Sequence, residues 1–431
     1  MARAVRRARH VVGATVGILT ATLALSACAG ADAVEIDLPA QVEAAFPADT
    51  QTQLEAAVTE AMAATGSSGA IVGVWAPWSG EWIAGVGTQT ATGSEPVDAD
   101  MEFRAARITR AMTCDVLYAL ADEGVVSLDD VVSESAPGAA GLTDMTLGQL
   151  CDSTSGLGTY ADVLWPKWVA TPDRIWAPLE LAAFGVGEER DTVPGSGFVN
   201  SDAGYILLGT ALEAATNRPL SDLIASYVTE PLGLESTWLP GDEPATPAGD
   251  SEALSLVGGQ SLRGEDGQLQ CTEPRDLTEA SASMGWADSG VVSTISDLGR
   301  YVQALATGAL LGEGQTRFAN PFPVSSSSPS WYTYTGGAFQ AGSLIGQHGA
   351  LPGYMTAAYA DPETGLTVAV VLNNTAASSL VVRDLAWELA AIASKAPAAS
   401  GETAPAAGLP WTAEQQQEAV LQRAVCPLPA P

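Results

Sequence analysis

Strand-like sequence occurs at two widely separated places in this chain. Residues 70–77 and 81–87 read as a hairpin turning at Trp78-Ser79-Gly80. Strand signals return only at 331–335, 338–345, 354–360 and 366–373, the last two joined by Asp361-Pro362-Glu363-Thr364-Gly365. Helical patterns fill the interval. Strands at both ends with helices between them predict an α+β fold, an antiparallel sheet flanked by terminal helices with a mainly helical insertion. The expected division is an α/β half from 50–110 with 285–395, a helical half from 111–284, and a Pro/Ala linker and tail from 396–431. No internal repeat is visible.

The insertion begins where Phe103-Arg104-Ala105-Ala106-Arg107-Ile108-Thr109-Arg110 opens a helix. Ile108, Met112, Val116, Leu117, Leu120 and Ala121 recur at helical spacing along it. Two fixed positive charges, Arg107 and Arg110, thus stand at the mouth of a helix whose body is apolar. Further helices are predicted at 50–65, 146–151, 205–215, 220–228, 296–306, 378–394 and 411–424. Tyr160, Trp165, Trp168 and Trp176 fall on an aromatic loop, which suits either a cleft wall or ordinary packing.

The first residues read as an address rather than as structure. Arg3, Arg6, Arg7 and Arg9 precede an apolar run from Val11 to Leu25, then Leu25-Ser26-Ala27-Cys28. A basic start, a short apolar stretch and small residues at the cut make a secretory signal over 1–27. Leu-Ser-Ala-Cys also looks like a bacterial lipobox, which would lipidate Cys28 and make 28–49 a tether. The expected location is the outer face of the bacterial cell membrane, held by the lipid alone.

Losing that segment removes four of the 18 Lys and Arg and none of the 50 acids, taking the net charge from −32 to −36. Such a chain is repelled by nucleic acid and anionic lipid heads, so neither is an expected partner. Four cysteines remain after Cys28. In an exported protein an even number implies disulfides, here with three possible pairings. Cys114–Cys151, joining neighbouring helices, and Cys271–Cys426, tying down the tail, are favoured. No metal site or cofactor is expected, since there is no C-x-x-C and no His partner for one.

Several stretches together resemble the serine β-lactamase and penicillin-binding DD-peptidase family, in its class C-like branch, over about residues 50 to 395. Phe103-Arg104 matches the start of its Phe-Arg-x-x-Ser-x-x-Lys segment, and Gly124 with Ser127-Leu128-Asp129-Asp130 its Gly-x-x-Ser-Leu-Asp-Asp turn. Leu147-Gly148-Gln149-Leu150 and Ser153-Thr154-Ser155-Gly156-Leu157 resemble its Leu-x-x-Leu-x-x-His-Thr-Ser-Gly-Leu run, with Ser153 where His is usual. Residues 198–209, 349–354 and 361–365 add further likeness.

The resemblance implies a serine nucleophile, a lysine one helical turn on, a Tyr-x-Asn relay, and a Lys/His-Thr-Gly strand beside the oxyanion hole. Position by position, this chain departs from all of them. The nucleophile and lysine positions hold Arg107 and Arg110, Tyr-x-Asn reads Asn200-Ser201-Asp202, and the strand triplet reads Gln347-His348-Gly349. Arginine has no hydroxyl, and a pKa above about 12 bars it from acting as a base at neutral pH. A shifted Ser-x-x-Lys is absent, because neither Lys167 nor Lys395 has Ser three residues before it. Thr109 is the nearest hydroxyl, but two residues along a helix is about 200°, so it points away from Arg107.

The expectation is therefore a catalytically inactive lipoprotein of this fold that binds a peptidoglycan stem peptide or another envelope protein. Candidate ligand-binding residues are Arg107, Arg110, Tyr160, Ser201, Asp202, His348 and Gly349. Arg107 and Arg110 read either as a carboxylate clamp or as ion-pair partners of Asp202. His348 reads as a structural histidine and Tyr160 as cleft lining or packing. Two alternatives are an active serine hydrolase with a relocated nucleophile, for which Ser153, Ser155 or Ser201 would serve, and a structural envelope lipoprotein.

Overall fold

The computed structural model describes residues 34–406 and 408–428; the expected signal segment and Cys28 lie outside the described residues. In chain order the strands are β1 Gly69–Ala76, β2 Gly80–Gly87, β3 Phe103–Arg104, β4 Gly259–Gln260, β5 Arg275–Asp276 and β6 Val292–Ser293. Then come β7 Phe322–Pro323, β8 Tyr332–Thr335, β9 Ala338–Ala341, β10 Leu344–Leu351, β11 Tyr354–Ala360 and β12 Thr367–Leu372. The first helices are α1 Ala48–Thr65, α2 Thr109–Asp122, α3 Val132–Ser135, α4 Leu147–Cys151, α5 Ala161–Ala170, α6 Pro178–Val186 and α7 Asp202–Thr216. After them come α8 Leu220–Ile224, α9 Glu230–Leu232, α10 Trp286–Ser289, α11 Ile295–Thr307, α12 Leu380–Ala393 and α13 Ala413–Gln422.

Eight strands form one antiparallel sheet in the order β2-β1-β12-β11-β10-β9-β8-β7. The seam between β1 and β12 joins the two ends of the chain, with Ala70 opposite Leu372 and Trp75 opposite Thr367. β1, β11 and β12 are buried at every position, because helices cover both faces. Successive side chains point to opposite faces, so one run of apolar residues feeds two cores. Val72, Val74, Val368 and Val370 pack with Leu54 of α1 and Leu385 of α12. Ile71, Ala369 and Val371 join Met112 of α2, Leu207 of α7 and Leu298 of α11. Each fully buried Val contributes about 1.5–3 kcal/mol, so this two-sided burial is a substantial contribution to stability. The α+β architecture is the expected one.

Two local readings are corrected. The run 338–345 is not one strand: Gly342 has φ +61 and a Cβ there would stand 2.7 Å from Pro410. The chain turns at that glycine, so β10 runs from Leu344 through the triplet 347–349. The aromatic stretch expected as loop folds largely as α5 despite Pro166 inside it. A proline in a helix costs about 3 kcal/mol, and burying Leu164, Trp168 and Val169 on one face is of sufficient size to offset it.

Both disulfides carry the favoured pairings. Cys114–Cys151 joins α2 to α4, and Cys271–Cys426 holds the tail. Beyond the linker, Trp411 stacks on Trp387 at 4.8 Å, and its indole N–H donates to the Trp387 carbonyl at 2.9 Å. The tail is therefore pinned at two points. Cys271→Ser/Cys426→Ser reopens a loop of sequence separation 155, for which loop-closure entropy gives a loss of about 5 kcal/mol. Urea unfolding of the double variant should show a loss of that order, with Trp411 still buried in the native state.

Candidate functional site

The site is built where β3 hands over to α2. β3 pairs with β6, and the Ala105 N–H donates to the Val291 carbonyl at 2.8 Å. Arg104 is almost wholly buried and donates to the carbonyls of Ala245, Thr278 and Ala280, pulling the 245 and 278–280 loops onto this corner. Ala106 then takes φ +51, a left-handed conformation that costs a non-glycine residue of order 1 kcal/mol or more. A short 3-10 turn, Ala106–Ile108, follows. This strained step presents Arg107 toward β10.

β10 pairs with β9 only over Leu344–Gly346, so from Gln347 onward that edge faces the 3-10 turn instead. Gly349 lies directly against Arg107. A Cβ at 349 would come within 2.5–2.9 Å of the Arg107 Cβ, Cγ and Cδ atoms, so only glycine leaves room for the arginine stem.

Arg107 Nη2 donates to Asp202 Oδ1 at 3.1 Å, and Arg110 Nη2 donates to the same oxygen at 2.5 Å. Arg110 also donates through Nε to Asp288 Oδ1 at 2.7 Å and through Nη1 to Asn200 Oδ1 at 2.7 Å. The other Asp202 oxygen accepts from the Thr159 hydroxyl and from the Ala161 N–H at 3.2 Å. The Arg110 guanidinium lies 4.8 Å from the centre of the Tyr205 ring. Two cations and two anions thus balance in a desolvated pocket, the condition under which buried charges are tolerated.

Exposure distinguishes the two arginines. The Arg110 side chain is 2% exposed, whereas that of Arg107 is 20% exposed. Burial alone would raise the Asp202 pKa, but Arg107 and Arg110, with Thr159, hold it below the usual carboxylate range. Asp288 goes the other way: burial, with the nearby Asp202 charge adding, pushes it up to about 6 despite Arg110. Tyr160 is 1% exposed, packs edge-on against Trp168 at 5.7 Å, and has a hydroxyl without a hydrogen-bond partner. Burial and then the charges of Asp288 and Asp202 raise its pKa well above the usual value.

The neighbouring hydroxyls are occupied structurally. Ser201 caps α7, accepting from the Gly204 N–H at 3.0 Å and donating to the Gly158 carbonyl at 3.1 Å. Thr109 donates to the Ala106 carbonyl and accepts from the Val291 N–H. Ser153, at φ +53, lies 3.1 Å from the Tyr205 hydroxyl, which donates to the Cys151 carbonyl and meets Tyr334 at 2.8 Å. Gln347 donates to that Tyr334 hydroxyl at 3.2 Å and to the Gly337 carbonyl at 2.9 Å. Ser155 is buried and accepts from the Leu157 N–H.

His348 lies apart from this group. Alternation along β10 turns it to the α1/α12 face, where it stacks on Phe339 at 4.6 Å and shares a 2.8 Å hydrogen bond with Tyr359. Burial, then the charge of Arg383, lowers its pKa well below the usual value, so the ring is neutral. Two hydrogen bonds join α5 and the segment after β12 to β4. The Trp165 indole N–H donates to Gln260 Oε1 at 3.2 Å, and the Thr375 hydroxyl donates to the same oxygen at 2.6 Å.

A model of the family described as Beta-lactamase matches residues 54–392. The chain belongs to the beta-lactamase family. Among its relatives is the D-alanyl-D-alanine-carboxypeptidase/endopeptidase AmpH of Escherichia coli (strain K12), 30% identical over 217 residues, covering 47% of this chain and 49% of that protein. Another is penicillin-binding protein 4* of Bacillus subtilis (strain 168), 23% identical over 274 residues, covering 62% and 59%. The matched region therefore spans about half of the first relative and less than two thirds of the second. Among solved structures, the D-stereospecific amidohydrolase from Streptomyces sp. superposes with a TM-score of 0.64 at 25% identity, covering 76% of this chain and 94% of that one. The penicillin binding protein from Bacillus halodurans shares the fold, with a TM-score of 0.61 at 20% identity, covering 77% and 97%.

Within this family member, Arg107, Arg110, Asn200, Asp202 and Gly349 gather at one corner, with Tyr160 and Gln347 beside them. Asp288 and Thr159 were missed. Asp288 sits in Gly285-Trp286-Ala287-Asp288-Ser289-Gly290, and nothing in its spacing ties it to Arg110. Its one signal is a lone acid among small residues.

Asp202→Asn leaves Arg107 and Arg110 sharing Asp288 alone and should cost about 3–5 kcal/mol at pH 7. Because the folded-state pKa of Asp202 is depressed, its contribution is present above the unfolded value and is lost as pH falls through the folded one. The gap between wild type and Asp202→Asn in urea unfolding should therefore narrow on going from pH 7 to pH 3. Arg110→Ala/Asp202→Asn should cost less than the sum of its single variants.

Proposed function

We propose that this protein is an exported, lipid-anchored binding member of the beta-lactamase family, which uses the Arg107 corner to hold a carboxylate rather than to form an acyl-enzyme. The carrying observation is the unequal state of the two arginines. Each of the three Arg110 nitrogens donates, to Asp288, Asn200 and Asp202, whereas Arg107 makes one hydrogen bond, to an oxygen it shares, and its Nε–H has no partner. The unpartnered Tyr160 hydroxyl belongs to the same charged cluster. An arriving carboxylate would meet the exposed fifth of the Arg107 side chain, and bidentate geometry favours Arg for that task.

Two features weigh against acyl transfer here: no hydroxyl occupies the position of Arg107, and His348 faces the opposite side of the sheet. Among the described residues at the site, Thr159 and Asp202 form a hydroxyl–carboxylate pair, which a relocated nucleophile would use. Asp202 held low by two guanidiniums is a weak base for that role. The fitting ligand class is a peptide with a free C-terminal carboxylate, of which a peptidoglycan stem peptide is one. AmpH and penicillin-binding protein 4* are named for activity on, or binding of, related chemistry.

Thermal unfolding with diacetyl-Lys-D-Ala-D-Ala and with its C-terminal amide tests this reading. The acid should stabilise the protein, by about 2.7 kcal/mol at a hundredfold excess over Kd, while the amide should not, and Arg107→Ala should abolish the effect. Intact mass after incubation with a fluorescent penicillin should show no adduct. A stoichiometric adduct would overturn the proposal and direct the search to Thr159 and Ser153.

A further inference from the structure

Away from that corner, a groove of about 940 Å³ runs between α1, α12 and α13. Ala56, Ala57 and Ala63 of α1, Ile392 of α12 and Leu421 of α13 give it apolar walls. Four glutamates from three helices line it: Glu55 and Glu60 from α1, Glu388 from α12 and Glu414 from α13. No Lys, Arg or His is among the residues lining it.

Glu388 stands out. It is only 5% exposed, yet it lines the groove and makes no hydrogen bond or ion pair among the described residues. Glu60 Oε2 accepts from Gln417 Nε2 at 2.6 Å, so that oxygen is oriented while the carboxylate keeps its charge uncompensated. Burial first, then the charges of Glu60 and Glu414, pushes the Glu388 carboxyl up to about 8. A buried carboxyl facing two others with no cation among them is an arrangement that a positive ligand would relieve. Among the described residues no cluster of His, Cys, Asp or Glu converges closely enough to hold a metal ion. A cation with an apolar body suits the groove, since it would lie along the alanines while its charge faces the carboxylates.

We propose that this groove binds a primary alkylammonium, its methylenes on the alanine face of α1 and its charged end between Glu388 and Glu60. The ammonium comes either from a free di- or polyamine or from a lysine side chain of a peptide. Binding draws the proton off Glu388, so affinity rises with pH up to the point where that carboxyl is already ionised. Glu55 and Glu60 on α1 and Glu414 on α13 are the other charged side chains lining the groove. This inference is independent of the reading of the Arg107 corner.

Isothermal titration of the exported protein with 1,5-diaminopentane, and in a second arm with an acetyl-lysine-amide peptide unit, tests it at constant ionic strength. Saturable one-to-one binding is expected in at least one arm, at least tenfold tighter at pH 8 than at pH 6, with proton release seen as a dependence on buffer ionisation enthalpy. Binding in the first arm alone assigns the ammonium to a free amine, and in the second to a peptide. Glu388→Gln should weaken binding at least tenfold and remove its pH dependence, while raising the Tm of the free protein at pH 8, which shows that it still folds. Absence of saturable binding in both arms, or equal binding by Glu388→Gln, overturns the proposal.

Discussion

Burying the Arg110 guanidinium commits the molecule to supplying counter-charge from elsewhere in the chain. Removing a guanidinium from water costs several kcal/mol unless opposite charge and hydrogen bonds replace the lost solvent. Here the replacement comes from Asp202 at the start of α7, Asp288 on α10 and Asn200 just before α7. These elements are therefore located by electrostatics as much as by apolar packing. Thr159 and the Ala161 N–H, holding the far oxygen of Asp202, extend the same constraint to the start of α5. A second buried cluster works alike. Arg317 bonds to Asp115, to the Ala111 carbonyl and to the Gly336 carbonyl, tying α2 to the turn between β8 and β9.

The sheet gives that charged corner its rigidity. With helices on both faces, each central strand is anchored by two cores, and β10 can leave part of one edge without a strand partner while staying fixed through β11. That free edge is where the 3-10 turn and Arg107 approach. The strain at Ala106 persists because β3, β6 and the buried Arg104 determine the chain path on either side of it.

Much of the architecture was legible because it follows from local pattern. The hairpin at β1–β2, the turn at 361–365 and the apolar runs of β11 and β12 announce strands on their own. The even cysteine count pointed to two bridges, and the favoured pairings are those formed. What stayed hidden depends on partners distant in sequence. α5 forms through Pro166 because Trp168 and Leu164 find a core that the local sequence does not reveal. The role of Asp288 exists only because α10 is folded against α2. The orientation of His348 follows from the β9–β10 turn at Gly342, and reading through that glycine concealed which face each residue of the triplet would take. Composition made the acid excess plain, but only the packing of α12 between α1 and α13 singles out Glu388 from the other acids.

The shared Asp202 oxygen also bears on the routes open to the chain in evolution. Exchanging Arg110 for a neutral residue would leave Asp202 and Asp288 as two buried acids with only Arg107 between them, while exchanging Arg107 would leave space beside Gly349. No single one of these changes keeps the charges balanced and the gap filled. A change at 107 or 110 is therefore coupled to the acids opposite it, and is tolerated best when charge and volume are conserved together. Charge complementarity at this corner thus ties residues 107, 110, 202 and 288 to one another, so that they are free to vary as a set rather than singly.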